Sequence, residues 1–165
     1  MSRWLYPLRR PKQDIVRSLP GSFGSCRKHD IHTGVDLYCP EGESVWAVEP
    51  GKILKVEQFT GARAESPWWE DTWAVFVEGE SGIVVYGELS YPVPQGAGSF
   101  VSGGALVGWV QRVLKEDKGR PTSMLHLELY SKGGECPVWW HHDENQPKNL
   151  LDPTKLLRES MEWHT

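Results

Sequence analysis

Apolar and polar residues alternate along several short segments of this chain, and the alternation is strictest near residue 124. The segment MLHLEL, residues 124–129, puts three leucines on one face of an extended strand and Met124, His126 and Glu128 on the other. Because a row of leucines belongs in a core, we expect the polar face of this strand to look toward a different part of the molecule.

Short runs rich in β-branched residues, separated by glycine and proline, continue through residues 31–130 without helical periodicity. This pattern predicts an all-β fold, a single-domain sandwich or barrel of short antiparallel strands. The predicted strands cover residues 34–38, 44–47, 51–59, 72–78, 82–89, 106–111 and 124–130.

Three polar or Gly- and Pro-rich segments interrupt the strands at residues 60–71, 112–123 and 132–148, and we predict long loops there. Two of these loops carry tryptophan doublets. Near the end of the chain, Asp152-Pro153 precedes a run that predicts a short closing helix beginning at residue 154. The predicted organisation is an N-terminal extension (1–19), a β domain (20–157) and a C-terminal tail (158–165).

Composition narrows the range of functions. The chain has 165 residues, a net charge of -4 and a mean hydropathy of -0.47, with no long basic tract and no apolar run of membrane-spanning length. We therefore expect neither a nucleic-acid nor a membrane partner. The basic N-terminus lacks the apolar stretch of a secretory signal, which predicts a cytoplasmic protein as written and an extracytoplasmic one if the sequence is truncated.

Candidate metal chemistry begins at the segment HTGVDLYCPEG, in which His32 and Asp36 lie four residues apart. On a strand of period two these side chains share a face, and an imidazole with a carboxylate suits a cation such as zinc. Taken alone, the pair is better explained as a half-buried histidine beside a surface aspartate. His126, on the polar face of its own strand, would complete a set of three ligands that leaves one coordination position open.

Several consecutive motifs resemble the lysostaphin-type (LytM-like) zinc metallopeptidase family. HTGVDLYCPEGESVWAVEPGKI is similar to the first family motif, VVYGELS to a Tyr-Gly-His-Leu-Ser segment, MLHLEL to the closing His-x-His-Phe-Glu-Leu motif, and NLLDPTKLL to the usual terminus. The resemblance implies the family's all-β fold, also called the duplicated hybrid motif fold. It also implies one bound zinc ion with His32, Asp36 and His126 as ligands.

The same resemblance assigns the two catalytic histidines of the family to Glu88 and Met124, so this chain is a divergent member that lacks both. A thioether has no titratable proton, so Met124 cannot replace a histidine. Glu88 can accept a proton from water and is the candidate general base. Glu128 is expected to orient a metal ligand.

Three interpretations remain open: a re-tooled hydrolase that uses Glu88, a metal-stabilised binding module, and a fold remnant without metal. The first predicts a divergent zinc-dependent hydrolase of amide or peptide bonds that acts on a peptide or peptidoglycan-like substrate. The second predicts a catalytically inactive zinc-bearing module that binds a peptide or a protein partner. A substrate groove is predicted from Arg27 and the tryptophan doublets, although the tryptophans could instead close their loops onto the barrel. The doublets are Trp68, Trp69, Trp139 and Trp140.

Overall fold

The computed structural model describes residues 3–9 and 21–162, and the regular secondary structure in these residues is mostly β. The strands are β1 (Val35–Tyr38), β2 (Ser44–Trp46), β3 (Gly51–Thr60), β4 (Thr72–Gly79), β5 (Gly82–Leu89), β6 (Phe100–Val101), β7 (Leu106–Trp109), β8 (Met124–Tyr130) and β9 (Leu150–Leu151). A 3₁₀ turn covers Ala62–Ala64, and the helix α1 covers Thr154–Met161.

The strands form one large sheet and one small one. In the seven-stranded sheet the order is β1-β8-β5-β4-β3-β6, with β9 paired to β8, and β2 pairs with β7 in a two-stranded sheet. Each of the strand pairs is antiparallel. The prediction of an all-β fold with a short C-terminal helix is confirmed. Among the described residues, no helix has the length and apolar character needed to cross a membrane.

The two faces of the large sheet pack against different apolar clusters. Leu125, Leu127 and Leu129 enter a large apolar core, as their alternation along β8 predicts. The opposite face carries a second, smaller apolar cluster that includes Tyr130. His126, which alternates with the leucines, therefore lies on the face of the smaller cluster.

All seven predicted strands are observed, with small changes at their ends. The segment predicted at 106–111 ends as a strand at Trp109, because the amide of Gln111 instead donates to the carbonyl of Glu88. β6 and β9 were not predicted, since two-residue strands carry no periodicity. The helix continues to Met161, past the predicted start of the tail at residue 158.

The N-terminal segment packs into the large core. Trp4, Tyr6 and Leu8 are all buried there, although they fall within the predicted extension at residues 1–19. The amide of Leu5 donates to the carbonyl of Val48, 2.7 Å away, which ties the segment to the chain that follows β2. The part of the predicted extension at residues 10–19 lies outside the described residues.

Candidate metal centre

Two neighbouring strands bring the three predicted ligands together. Asp36 of β1 lies directly opposite His126 of β8 in the antiparallel register, and His32 precedes β1. The Oδ1 atom of Asp36 is 2.8 Å from Nδ1 of His126 and 3.2 Å from Nε2 of His32, and the two nitrogens are 3.2 Å apart. All three residues are buried, and within the described chain they form a group that can hold a metal ion.

Each of the two imidazoles has one nitrogen that faces away from the other ligands, and the partner of that nitrogen shows where the hydrogen of the ring lies. Nδ1 of His32 lies 2.9 Å from the carbonyl oxygen of Ser22, which can only accept, so this nitrogen carries the hydrogen. Nε2 of His126 lies 2.8 Å from the carboxylate of Glu128. The remaining nitrogens and Oδ1 of Asp36 therefore direct lone pairs at one point.

The spacing of these donor atoms suits a small cation. Ligand atoms about 2.0–2.1 Å from a tetrahedral zinc ion lie roughly 3.3 Å from one another. The observed separations of 2.8–3.2 Å are close to that value. Two imidazoles and a carboxylate are a donor set that zinc accepts, so the residues present fit such an ion.

Neighbouring groups shift the pKa values of two of the ligands, Asp36 and His126. Burial alone would raise the pKa of Asp36, but His32 and His126 hold it well below its usual value. Burial likewise opposes ionisation of His126, yet its hydrogen bonds to Asp36 and Glu128 raise its pKa to about 10. Without a metal, His126 therefore carries a second proton, which stands between His126 and the Asp36 carboxylate where a cation would bind.

Close packing brings β1 and β8 together at the ligands. A Cβ atom added to Gly34 would lie 2.5 Å from the carbonyl oxygen of Leu127 and 3.0 Å from both Cγ of Glu128 and Cε1 of His126. A side chain at position 34 would therefore displace a ligand and its partner. Only glycine fits at this position between His32 and Asp36.

Glu88, the candidate base, lies at a β-bulge near the end of β5. The pairing joins Tyr86 to Val75 and Leu89 to Trp73, so β5 has one residue more than β4 between these pairs. Tyr86 and Leu89 both enter the large core, which interrupts the alternation between them. Glu88 takes a left-handed φ of 66° at this break. The bulge thereby frees the Glu88 side chain from the core face.

The carboxyl group of Glu88 is buried and incompletely paired. Only 8% of the residue is exposed, and Oε2 has no hydrogen-bond partner among the described residues. Burial, followed by the nearby charge of Asp36, raises the pKa of Glu88 to about 8. Glu88 is not part of the three-ligand group. It is a proton acceptor or donor close to the ligands rather than one of them.

Met124 and Arg27 flank the ligands on other sides. Met124 is buried and lies opposite Tyr38, two pairs along the β1–β8 ladder from Asp36 and His126. The guanidinium of Arg27 donates to Oδ2 of Asp36 across 2.8 Å, with about a third of its side chain exposed. Arg27 thus holds the carboxylate oxygen that the imidazoles do not contact.

In each tryptophan doublet, one ring is exposed and its neighbour is partly buried. Trp68 and Trp139 are 58% and 56% exposed. Trp140 packs against the smaller apolar cluster, with its ring 5.7 Å from Phe23. Trp69 stacks edge-on against Trp68 and bridges to the 112–123 loop. The two rings of each doublet therefore have different surroundings.

Residues behind the ligands include two that sequence reasoning did not select. The hydroxyl of Thr33 donates to Oε1 of Glu128 across 2.6 Å, and the hydroxyl of Tyr130 donates to Oε2 across 2.7 Å. Alternation along β8 places Tyr130 on the face of Glu128, and that signal could have identified it. Thr33 carries no such signal.

Comparisons with known proteins give matches of fold. No protein-family model and no curated protein matches the sequence. A zinc containing peptidase from Vibrio cholerae matches with a TM-score of 0.55 and 20% identity, over 77% of this chain and 36% of that chain. A mutant catalytic domain of the prophage-encoded M23 protein EnpA from Enterococcus faecalis matches with a TM-score of 0.51 and 22% identity, over 76% of this chain and 88% of that chain.

A chain from the complex of SpoIIIAH and SpoIIQ also matches, with a TM-score of 0.51 and 16% identity over 92% of this chain and 90% of that chain. The chain spans only 30–55% of the length of three of the solved structures that it matches. The chain therefore shares the all-β fold of these structures, and its described residues include a group that can hold a metal. The resemblance found in the sequence is thus confirmed at the level of fold.

Proposed function

We propose that this chain is a divergent zinc-dependent hydrolase of amide or peptide bonds, with His32, Asp36 and His126 as metal ligands and Glu88 as general base. The observation that carries the proposal is the unpaired, buried Oε2 atom of Glu88 beside a complete set of ligands. A buried carboxylate oxygen without a partner is costly. Such an oxygen is therefore expected where water or substrate supplies the partner.

The chemistry divides between the ion and the residues of the chain. Zinc, when bound, supplies a Lewis acid that polarises the scissile carbonyl and acidifies a coordinated water. Glu88 accepts a proton from the attacking water and, once protonated, can return it to the leaving amine. Its raised pKa suits both steps, since a base is most effective when its pKa lies near the working pH. Met124 contributes no proton transfer.

Arg27 completes the charge balance in this proposal. Its guanidinium holds Oδ2 of Asp36 and leaves Oδ1 directed at the metal position. Its partial exposure also leaves it able to meet a substrate oxygen at the edge of the site. We propose a peptide or peptidoglycan-like substrate, and the two neighbours described as a peptidase and as an M23 catalytic domain support this substrate class.

A zinc-bearing binding module is the second candidate. It is favoured by Met124, because a buried thioether stands where the family resemblance expects a histidine. The match to a chain from a two-protein complex also supports it. In this alternative the ion stabilises the β1–β8 junction, and the exposed rings of Trp68 and Trp139 contact a peptide or a protein partner.

The test compares metal content with turnover in the full chain. Zinc is quantified in purified wild type, Glu88→Gln and His126→Ala, and hydrolysis of a peptide library is then measured with the ion present. We expect Glu88→Gln to keep its zinc and lose about 10²–10⁴-fold in kcat/KM. His126→Ala should lose the metal. Glu65→Gln is the matched control, because Glu65 is exposed and also has a positive φ.

Each outcome separates the two candidates. Unchanged turnover in Glu88→Gln would exclude Glu88 as the base. Zinc-loaded wild type that cleaves no member of the library would favour the binding module. Wild type that takes up no zinc would contradict both candidates.

A further inference from the structure

A continuous chain of buried hydrogen bonds runs behind His126, on the side away from the metal position. Nε2 of His126 donates to Oε1 of Glu128 across 2.8 Å. Thr33 donates to the same oxygen across 2.6 Å, and Tyr130 donates to Oε2 across 2.7 Å. His126, Glu128 and Tyr130 are all buried. Both oxygens of the Glu128 carboxylate are therefore occupied by donors from three different residues.

This arrangement keeps Glu128 an acceptor. The hydroxyls of Thr33 and Tyr130 donate one to each of its oxygens, so both oxygens already accept hydrogen bonds. The bond between Glu128 and Nε2 of His126 is then donated by the imidazole. Nδ1 of His126 is then left as the atom that faces Asp36 and His32.

The hydroxyl of Tyr130 is itself fixed in direction. It lies 3.2 Å from the backbone nitrogen of Val138, which donates to it. A phenol has a single hydrogen, and accepting from Val138 directs that hydrogen toward Oε2 of Glu128. The 132–148 loop thus sets the orientation of a hydroxyl that in turn sets Glu128. Tyr130 therefore acts on His126 through Glu128 and not through a contact of its own with the metal position.

We propose that Tyr130 and Thr33 are positioning residues of the metal centre, which clamp the two oxygens of Glu128 and so hold the imidazole of His126 with Nδ1 toward the ion. The inference rests on the metal-binding part of the proposed function and is independent of hydrolysis. Partners of a metal-bound histidine typically contribute about 10–100-fold to metal affinity. Residues that fix such a partner act through it and should have a measurable share of that effect.

The chain offers a closely matched control for Tyr130. Tyr86 is also a fully buried tyrosine of the large sheet, and its hydroxyl accepts from the backbone nitrogen of Val48 at 2.9 Å. Its ring packs in the large core, on the face away from His126. Tyr130→Phe and Tyr86→Phe therefore remove the same atom from similar surroundings, and only the first touches the partner of a ligand.

The experiment measures the affinity of the full chain for Zn²⁺ by competition with a chromophoric chelator, in wild type, Tyr130→Phe, Thr33→Val and Tyr86→Phe. We expect the first two variants to bind Zn²⁺ about 10-fold more weakly than wild type and Tyr86→Phe to bind it equally well. Nitrogen chemical shifts of His126, recorded with Zn²⁺ bound, give a second readout. In wild type Nε2 should carry the hydrogen, and in Tyr130→Phe part of the population should shift to the other tautomer.

Equal Zn²⁺ affinity and an unchanged His126 tautomer in Tyr130→Phe and Thr33→Val would overturn the inference and leave the metal centre standing. Equal weakening in Tyr130→Phe and Tyr86→Phe would also overturn it, because a general loss of packing would then be the cause. Wild type that binds no Zn²⁺ would overturn both the inference and the proposed metal centre. Stability measured by urea unfolding of each variant identifies any that fails to fold, and Thr33→Val, which alters a partly exposed side chain, keeps the test decisive.

Discussion

Glu88 combines two features that each cost stability. A non-glycine residue held in a left-handed conformation costs on the order of 1–3 kcal/mol, and Glu88 has a φ of 66°. Its buried Oε2 atom has no hydrogen-bond partner among the residues that the structure describes, which adds a desolvation penalty of about 1–3 kcal/mol. Strain and unpaired polar atoms concentrate at functional sites, because the residue that would relieve them could not do the chemistry. Both features therefore agree with a role for Glu88 at the metal centre.

The raised pKa of Glu88 predicts how the stability of the metal-free protein depends on pH. Its pKa is about 8 in the folded chain against 4.5 for an ordinary glutamate, so between these values the folded state binds the extra proton. Stability is then fully present below about pH 4.5 and falls as the pH rises through 8. Glutamine cannot ionise, so Glu88→Gln should gain on wild type by a few kcal/mol across this window. Urea unfolding with chelator present, at several pH values, checks the prediction.

Parallel stability curves for wild type and Glu88→Gln would show that Glu88 ionises as readily in the folded chain as in the unfolded one. The exposed residue Glu65 supplies the control. Glu65→Gln removes a carboxylate from the surface and controls for the loss of one negative charge.

At the scale of strands and loops, alternation alone predicted much of the metal centre. The period of two fixes the face of a side chain before its partner strand is known, so His126 could be assigned to the face opposite the leucines. His32 precedes β1, so its contact with Asp36 does not follow from this period. The bulge at Glu88 could not be predicted in this way, because it depends on the register between β4 and β5. The Thr33 contact to Glu128 likewise joins positions far apart in the chain.

The loops show the limit of sequence patterns more clearly. A tryptophan doublet predicts a large aromatic surface but not which ring is buried. In the 132–148 loop Trp140 packs on the smaller apolar cluster and donates through Nε1 to the carbonyl of Glu144, while Trp139 is 56% exposed. Burial here depends on how the loop meets Phe23, a contact between distant segments. The position of each ring is a tertiary property.

The doublet in the 132–148 loop gives a prediction with its own control. Trp140→Ala should lower the free energy of unfolding by about 2 kcal/mol, because it removes a partly buried ring from the smaller apolar cluster. Trp139→Ala should change it by less than about 0.5 kcal/mol, since the ring is mostly exposed. Urea unfolding of both variants measures the difference. A larger loss for Trp139→Ala would mean that its exposed ring supports the loop.

At the scale of the whole molecule, the N-terminal segment is part of the same body as the β domain. Trp4, with 2% of its surface exposed, lies in the large core and donates through Nε1 to Oγ of Ser81 in the turn between β4 and β5. The amide of Trp46 donates to the carbonyl of Pro7. One short segment thus contacts the small sheet and a turn of the large sheet. Its packing lies on the face away from the metal ligands.

This arrangement predicts that stability and metal binding respond separately to changes in the N-terminal segment. Trp4→Ala should cost about 3–5 kcal/mol, the usual loss for a tryptophan removed from a core, which is a large part of the 5–15 kcal/mol that typically holds a domain together. Leu5→Ala, at a residue 39% exposed, should cost less than about 1 kcal/mol.

Under conditions where Trp4→Ala is folded, its affinity for Zn²⁺ should equal that of wild type, because His32, Asp36 and His126 lie on the other face of the sheet. Urea unfolding and chelator competition on the same samples measure both quantities. A loss of stability below about 1 kcal/mol in Trp4→Ala would show that the segment is not needed to hold the two sheets together, whereas a parallel loss of zinc affinity would show that the two faces of the sheet are coupled.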